Sequence, residues 1–293
     1  MGMLNSFAGN AAVQATLAEA DATLGFSISG LITNGPAEEL NLTINTQPAM
    51  LSAAIAIYRA YLAAGGRVPN VVAGHSLGEY SALVAAGVLT FPDALQAVRL
   101  RAQAMQAAVP AGVGAMAAIL GLDAADVIAG CAQAASAGVV EAVNFNDPKQ
   151  TVIAGSKAGV DKACELLKAM GAKRALLLPV SAPFHSSLMR PAADKLREHL
   201  ATVTFSEPKI ALINNVDVAV ASDAAVTRDA LYRQAFGAVR WVETVGALAA
   251  RGVTKVVECG PGKVLAGLCK RIDAGLAVVS IADEVSLLAE VAA

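Results

Sequence analysis

Charged residues are scarce in this sequence, at 16% of the chain, and the basic ones gather into no run. A formal net charge of -2 distributed in this way offers no field for a polyanion, so nucleic acid is excluded as a partner. Long unbroken apolar stretches are missing too, although 56% of the residues are hydrophobic. The stretch from Val71 to Leu89 is interrupted by His75, Ser76, Glu79 and Tyr80, and no membrane partner or span is predicted. The opening MGMLNSFAGN lacks the basic residues and apolar segment of a secretion signal, which makes the cytoplasm the expected compartment. Cysteine is limited to Cys131, Cys164, Cys259 and Cys269, far apart and without a CxxC pair. That spacing argues against a zinc site and against a disulfide framework. Cys259 stands before Gly260-Pro261-Gly262 but has no histidine near it in sequence, and it reads as a small buried thiol. Histidine is rarer still, with only His75, His185 and His199.

What is present is enough for a large core. A chain of 293 residues buries either one large core or a core with a smaller attached domain. Residues 44 to 66 read as a buried helix ending on a glycine pair, Val71 to Ala73 as a short buried strand, and Leu77 to Gly87 as the helix after it. A helix from Phe91 to about Val109 carries Arg99 and Arg101. From Gly112 the rhythm becomes strand, helix, strand, strand, helix, strand, the order of a split βαβ unit, with Asn146-Asp147-Pro148-Lys149 as the turn between its middle strands. After Ser181 helices and strands alternate again, up to a strand at Lys255 to Cys259 and a last helix opened by Gly260-Pro261-Gly262. The expected fold class is α/β. Residues 1-111 and 182-293 form a large α/β-hydrolase-like domain with a parallel sheet and a nucleophile elbow, and a ferredoxin-like α+β subdomain, 112-181, is inserted into it.

The segment Gly74-His75-Ser76-Leu77-Gly78 falls at a strand-to-helix junction. A sharp turn there needs small residues two positions either side of the serine and would lift the Ser76 hydroxyl clear of the sheet. The Leu77 N–H at the helix start would then face a developing oxyanion. The alternative is a glycine-bounded helix cap. A nucleophilic serine requires a base. His75 adjoins the serine, where the turn sends its ring elsewhere, and His199 lies in ADKLREHLATV as a solvated helix residue. His185 remains by elimination, in a loop at the return from the inserted unit. Chain order separates this protein from true α/β-hydrolases, in which an acid and then a late histidine follow the serine; no histidine follows His199.

The blocks GHSLGEYSALVAAGV, RAQAMQAAVPAGVGAMAAILGL, VNFNDPKQTVIAG, GAKRALLLPVSAPFH, INNVDV and GPGKVLAGLCKRI resemble, in order and over nearly the whole chain, the malonyl-CoA:acyl carrier protein transacylase family and the related acyltransferase domains of polyketide synthases. The resemblance implies that Ser76 is acylated and that His185 is its base, oriented by a backbone carbonyl at Gln234 instead of a carboxylate. It implies that Arg101 grips the free carboxylate of the malonyl group, and that Phe184 and Leu77 leave little room for a branched acyl group. Gln47 and Asn146 match positions near the acyl site. No metal or redox cofactor is implied. The implied partners are malonyl-CoA and an acidic acyl carrier protein, and the chain is expected to be a monomer. Lys173, Arg174, Arg190, Lys195, Lys263, Lys270 and Arg271 are candidates for a basic carrier-docking surface, each also readable as a plain solvated charge. The rival classes are a thioesterase or esterase using the same serine, and a non-catalytic binding module. The family begins with a strand and a Gly-Gln-Gly-Ser-Gln loop whose first glutamine donates an N–H to the oxyanion. This sequence starts at Met1-Gly2-Met3-Leu4, so an inner strand and that donor are expected to be missing unless another segment takes their place.

Overall fold

In a computed structural model of the chain, residues 1–110, 112–180, 182–221 and 223–293 are described. Four helices precede the first strand: α1 (Ala11–Leu24), α2 (Ile28–Asn34), α3 (Ala37–Leu40) and α4 (Thr43–Ala63). Strand β1 (Val71–Ala73) leads into α5 (Gly78–Ala85) and α6 (Phe91–Ala108). The middle of the chain runs β2 (Gly114–Leu120), α7 (Ala124–Ala134), β3 (Val140–Asp147), β4 (Gln150–Ser156), α8 (Lys157–Ala169) and β5 (Arg174–Leu177). It closes with α9 (Arg190–Leu200), β6 (Ala211–Ile213), α10 (Ala224–Gln234), α11 (Trp241–Ala250), β7 (Lys255–Cys259), α12 (Val264–Ile272), β8 (Ala277–Ile281) and α13 (Glu284–Val291).

Two expectations need correction here. The helices before α4 were not anticipated, although their signals are local: the Asn10 side chain accepts the Ala12 and Val13 N–H groups, and Gly25 at φ 73° ends α1. Nor is the helix after Gly262 the last element, since β8 and α13 follow it. The start of α12 is capped from the side by Glu258 of β7, whose carboxylate accepts the Leu265 and Ala266 N–H groups.

The middle segment forms a four-stranded antiparallel sheet in the order β3-β4-β2-β5. Alternation along its strands sends Ala117, Ile119 and Ile153 to one face, under α7 and α8, while Met116, Val152 and Ala154 point to the other. That second face packs with Phe184, which also touches the main core, so Phe184 sits between the two bodies of apolar side chains. The seam is tied by backbone bonds from Phe145 N to Val239 O (2.9 Å) and Val239 N to Val143 O (2.8 Å). The expected boundary positions Ala111 and Ser181 lie outside the described residues.

The expected parallel sheet is present in two pieces. β1 pairs in parallel with β6, and β7 in parallel with β8, but β1 and β7 do not pair. Val72, Val257 and Cys259 pack against the main core, whereas Ala73 and Val256 pack against a second cluster around Trp241 and Leu268. The two strands therefore lie between the same two layers with their free edges bordering one cavity of about 1140 Å³. Among the described residues no segment takes the inner strand position. No described helix is long and apolar enough to cross a membrane.

Candidate active site

β1 ends at Ala73 and α5 begins at Gly78, so four residues make the turn. Ser76 at its apex has φ 51°, a left-handed conformation that a non-glycine residue adopts only when its surroundings impose it. The turn is closed by Gly78 N to His75 O at 2.8 Å and Glu79 N to Ser76 O at 3.1 Å. The two flanking glycines are not equivalent. A Cβ on Gly74 would stand 2.0 Å from the Gly78 backbone, while one on Gly78 would meet nothing. Gly74→Ala is expected to cost about 3 kcal/mol or more, or to prevent folding, and Gly78→Ala to be neutral or slightly stabilising. Denaturant melts of the two variants check this; equal melts would contradict the steric argument.

The structure brings His185 to the serine from 109 residues away: His185 Nε2 lies 2.7 Å from Ser76 Oγ. His185 is itself in the left-handed region, φ 66°, and is 4% exposed. Its Nδ1 lies 2.9 Å from the Gln234 carbonyl oxygen and 3.2 Å from that of Gly237. Two carbonyls accept only, so Nδ1 carries the proton and Nε2 presents its lone pair to the hydroxyl. Burial, reinforced by the field of Arg101, pushes the His185 ring down to about 3, and it is neutral across the physiological range. Among the described residues no carboxylate contacts the ring. His75, in contrast, is engaged elsewhere: its Nε2 is 2.8 Å from Asn146 Oδ1 and its ring meets Trp241 edge-on. Asn146 thus touches the elbow through His75. His199 is half-buried on α9 rather than fully solvated: it lines a cavity with Thr23 and Arg99, and its Nε2 is enclosed without a partner.

Arg101 does not behave as a solvated helix arginine. It is 3% exposed on the inner face of α6, donating Nη1 to Gln47 Oε1 (2.6 Å) and Nη2 to Ser76 Oγ (3.1 Å) and Gln234 Oε1 (3.2 Å). Its Nε has no partner, and no ion pair of Arg101 occurs among the described residues. A guanidinium taken out of water without an anion beside it is costly. A carboxylate arriving beside the serine oxygen would meet this guanidinium and offset that cost. The Leu77 N–H enters none of the described backbone bonds and stands at the start of α5.

Three residues escaped the sequence reading. Gly237 supplies the second carbonyl on Nδ1, Asn215 bonds the elbow backbone, and buried Glu79 bonds both Asn215 and Gln234. Glu79 was visible only as a charge interrupting an apolar helix. Burial pushes the Cys259 thiol up to about 12, which disfavours the thiolate a nucleophile would need.

The acyl transferase domain family matches residues 1–277. The malonyl CoA-acyl carrier protein transacylase of Salmonella typhimurium is 53% identical over 273 residues, 93% of this chain and 88% of that protein. The crystal structure of an acyl-carrier-protein S-malonyltransferase from Burkholderia pseudomallei 1710b is 64% identical, with a TM-score of 0.99 over 100% of this chain and 95% of that one. A malonyl-transacylase solved in complex with a type II PKS acyl-carrier protein is 47% identical, with a TM-score of 0.98 over 100% of this chain and 95% of its own. A serine elbow met by a distant histidine, on a fold and sequence shared this closely, makes the chain a member of the acyltransferase domain family.

Proposed function

We propose that Ser76 carries the acyl group and that His185, Arg101, Leu77 and Gln234 serve it as base, carboxylate clamp, oxyanion donor and base-orienting residue. The chain transfers a malonyl group from malonyl-CoA to acyl carrier protein in fatty acid synthesis. In the first step His185 Nε2 takes the proton from Ser76 Oγ as the oxygen attacks the thioester carbonyl. The oxyanion is met by the Leu77 N–H, CoA leaves with the proton, and a malonyl-serine ester remains. In the second step the phosphopantetheine thiol of the carrier protein gives its proton to His185 and takes the acyl group, and the imidazolium passes that proton to Ser76 Oγ as the ester bond breaks. The carbonyls of Gln234 and Gly237 stabilise the imidazolium that forms in each step.

The observation that supports this reading most directly is that Ser76 Oγ lies within hydrogen-bonding distance of both a neutral imidazole and an unpaired guanidinium, at 2.7 Å and 3.1 Å. The second recognises an acyl group that carries a carboxylate, and the choice between transfer and hydrolysis rests on the acceptor. Gln47 holds Arg101, and Phe184, next to His185 in the chain, restricts the acyl group. Residues 112–181 act as a ferredoxin-like lobe over an α/β-hydrolase-like body, with the acyl site at the seam that Phe184 occupies. Of the basic residues considered for carrier docking, Arg271 is already paired with Asp147 at 2.8 Å and Arg190 stacks on Phe236, which leaves Lys173, Arg174, Lys195, Lys263 and Lys270 for an acidic carrier.

Incubation with malonyl-CoA alone tests the transfer. The intact mass is expected to rise by one malonyl group and to return when carrier protein is added. Rapid release of free malonate without a carrier would make the protein a hydrolase.

A further inference from the structure

We infer that Glu79 is the positioning residue that holds nucleophile and base in register, and the buried negative charge that the Ser76–His185 pair otherwise lacks. Glu79 is 1% exposed on the first turn of α5. A single oxygen, Oε2, accepts the Asn215 backbone N–H at 3.0 Å and the Gln234 Nε2 at 3.0 Å. Asn215 in turn holds the arm of the elbow that leads into Ser76, taking the Ser76 N–H on Oδ1 (2.7 Å) and donating Nδ2 to the Gly74 carbonyl (2.7 Å). Gln234 also donates Nε2 to the Ser76 carbonyl (2.9 Å) while its own carbonyl holds His185 Nδ1. The backbone of the nucleophile and the acceptor of the base therefore meet at one carboxylate oxygen. Packing alone does not account for an acid here, because an ionised carboxylate in the interior costs stability that a neutral side chain would not.

The charge has a task as well. When His185 accepts the serine proton, a second cation appears beside Arg101, whose field already opposes it. Glu79, which makes no ion pair with Arg101 among the described residues, acts on it through space and partly offsets that field. The other ionisable groups that act on it are Tyr80 on α5 and Asp217 in the turn after β6. Asp217 is occupied by Arg233 at 2.7 Å.

Burial raises the Glu79 carboxyl to about 7, against the pull of Gln234, Asn215 and Arg101. The ionised form is the one that balances Arg101, so acylation of Ser76 rises with pH through about 7. His185 is already neutral there and is not the source of that limb. The stability effect has the opposite sign. A carboxyl raised in the folded state binds protons more tightly than in the unfolded chain, so stability falls as pH rises from 4.5 to about 7 and the cost is complete above that.

Glu79→Gln keeps shape and acceptor but removes the charge. Because this inference rests on Ser76 and His185 as nucleophile and base, malonyl uptake by the unmodified protein is measured first; its absence would count against that reading and not against Glu79. For the variant, the expected result is an acylation rate about tenfold lower above neutral pH, from loss of a charged hydrogen-bond acceptor. The acid limb disappears and the melting temperature is unchanged or raised. Glu79→Asp, which keeps the charge but withdraws it, restores the limb without the full rate. An acid limb unchanged in Glu79→Gln, or activity and melting temperature falling together at every pH, would overturn the assignment. Should Glu79→Gln not fold, carbon-13 NMR of the labelled glutamates in the unmodified protein reads the titration directly: a buried carboxyl near 7 supports the inference, and none titrating above 4.5 overturns it.

Discussion

Alanine in place of Ser76 is expected to abolish uptake of malonyl from malonyl-CoA, and alanine in place of His185 to slow it by about ten-thousandfold, the upper range for loss of a general base. The size of the second effect follows from the lack of a substitute. Neither remaining histidine is available: His75 is held by Asn146 and Trp241, and the His199 Nε2 is buried on α9. No carboxylate reaches Ser76 Oγ, whose described partners are the His185 ring and Arg101. Arg101 cannot accept a proton, so removing His185 leaves only water. Burst-phase formation of the malonyl-enzyme, followed by intact mass, measures both variants. A His185→Ala protein that acylates within tenfold of the parent would remove the imidazole from the mechanism.

Arg101→Ala is the second large effect. Malonyl transfer is expected to fall by about a hundred- to a thousandfold, the range for removing one partner of a buried charged pair, while acetyl transfer is spared or raised. The asymmetry has two sources. The guanidinium offers a planar pair of donors to the malonyl carboxylate, which acetyl lacks. The guanidinium also donates Nη2 to Ser76 Oγ and depresses His185, so its positive field restrains both nucleophile and base. A malonyl carboxylate neutralises that field on arrival and releases them; an acetyl group does not. Competition between the two acyl-CoA substrates, read as a ratio of kcat/KM values, checks the prediction. Equal losses for both would refute the clamp.

The depressed His185 has a consequence for stability as well. An imidazole held far below its ordinary 6.5 in the folded chain is protonated earlier in the unfolded one. It contributes stability in full above about 6.5, and that contribution is lost as pH falls toward about 3. Over the range from 4.5 to 6.5, Glu79 acts in the opposite direction, because its folded-state carboxyl is raised. A flat melting temperature across that interval in the parent, with a positive slope in Glu79→Gln, is the signature of the two groups offsetting each other.

Much of this protein could be read from neighbours in sequence. The elbow is local: a strand of small apolar residues, a glycine that its turn requires, the serine, and a helix start all lie within eight positions. The β2-to-β5 unit was legible for the same reason, since alternation and helix periodicity are properties of short windows. Local signals also existed for α1 and for the end of the chain, but alanine-rich helices with weak apolar faces hide them. Gly78 shows the limit of the pattern, because its place in the motif implied a crowding that only Gly74 experiences.

The sequence by itself determined the strained turn that presents Ser76 and, through the resemblance of its blocks, the family and the chemistry to expect. Only the tertiary structure decided how the site works. It buried Arg101 without an anion, chose two carbonyls in place of an aspartate for His185, and set Glu79 and Asn215 behind the elbow. It also left β1 and β7 as separate edges of one layer. The reason lies in the range of the contacts: Ser76 meets His185 across 109 residues, Asn215 across 139 and the Gln234 side chain across 158. A hydrogen bond between residues so distant leaves no period in the sequence, and whether a charge is solvated or enclosed depends on which surfaces the fold brings together.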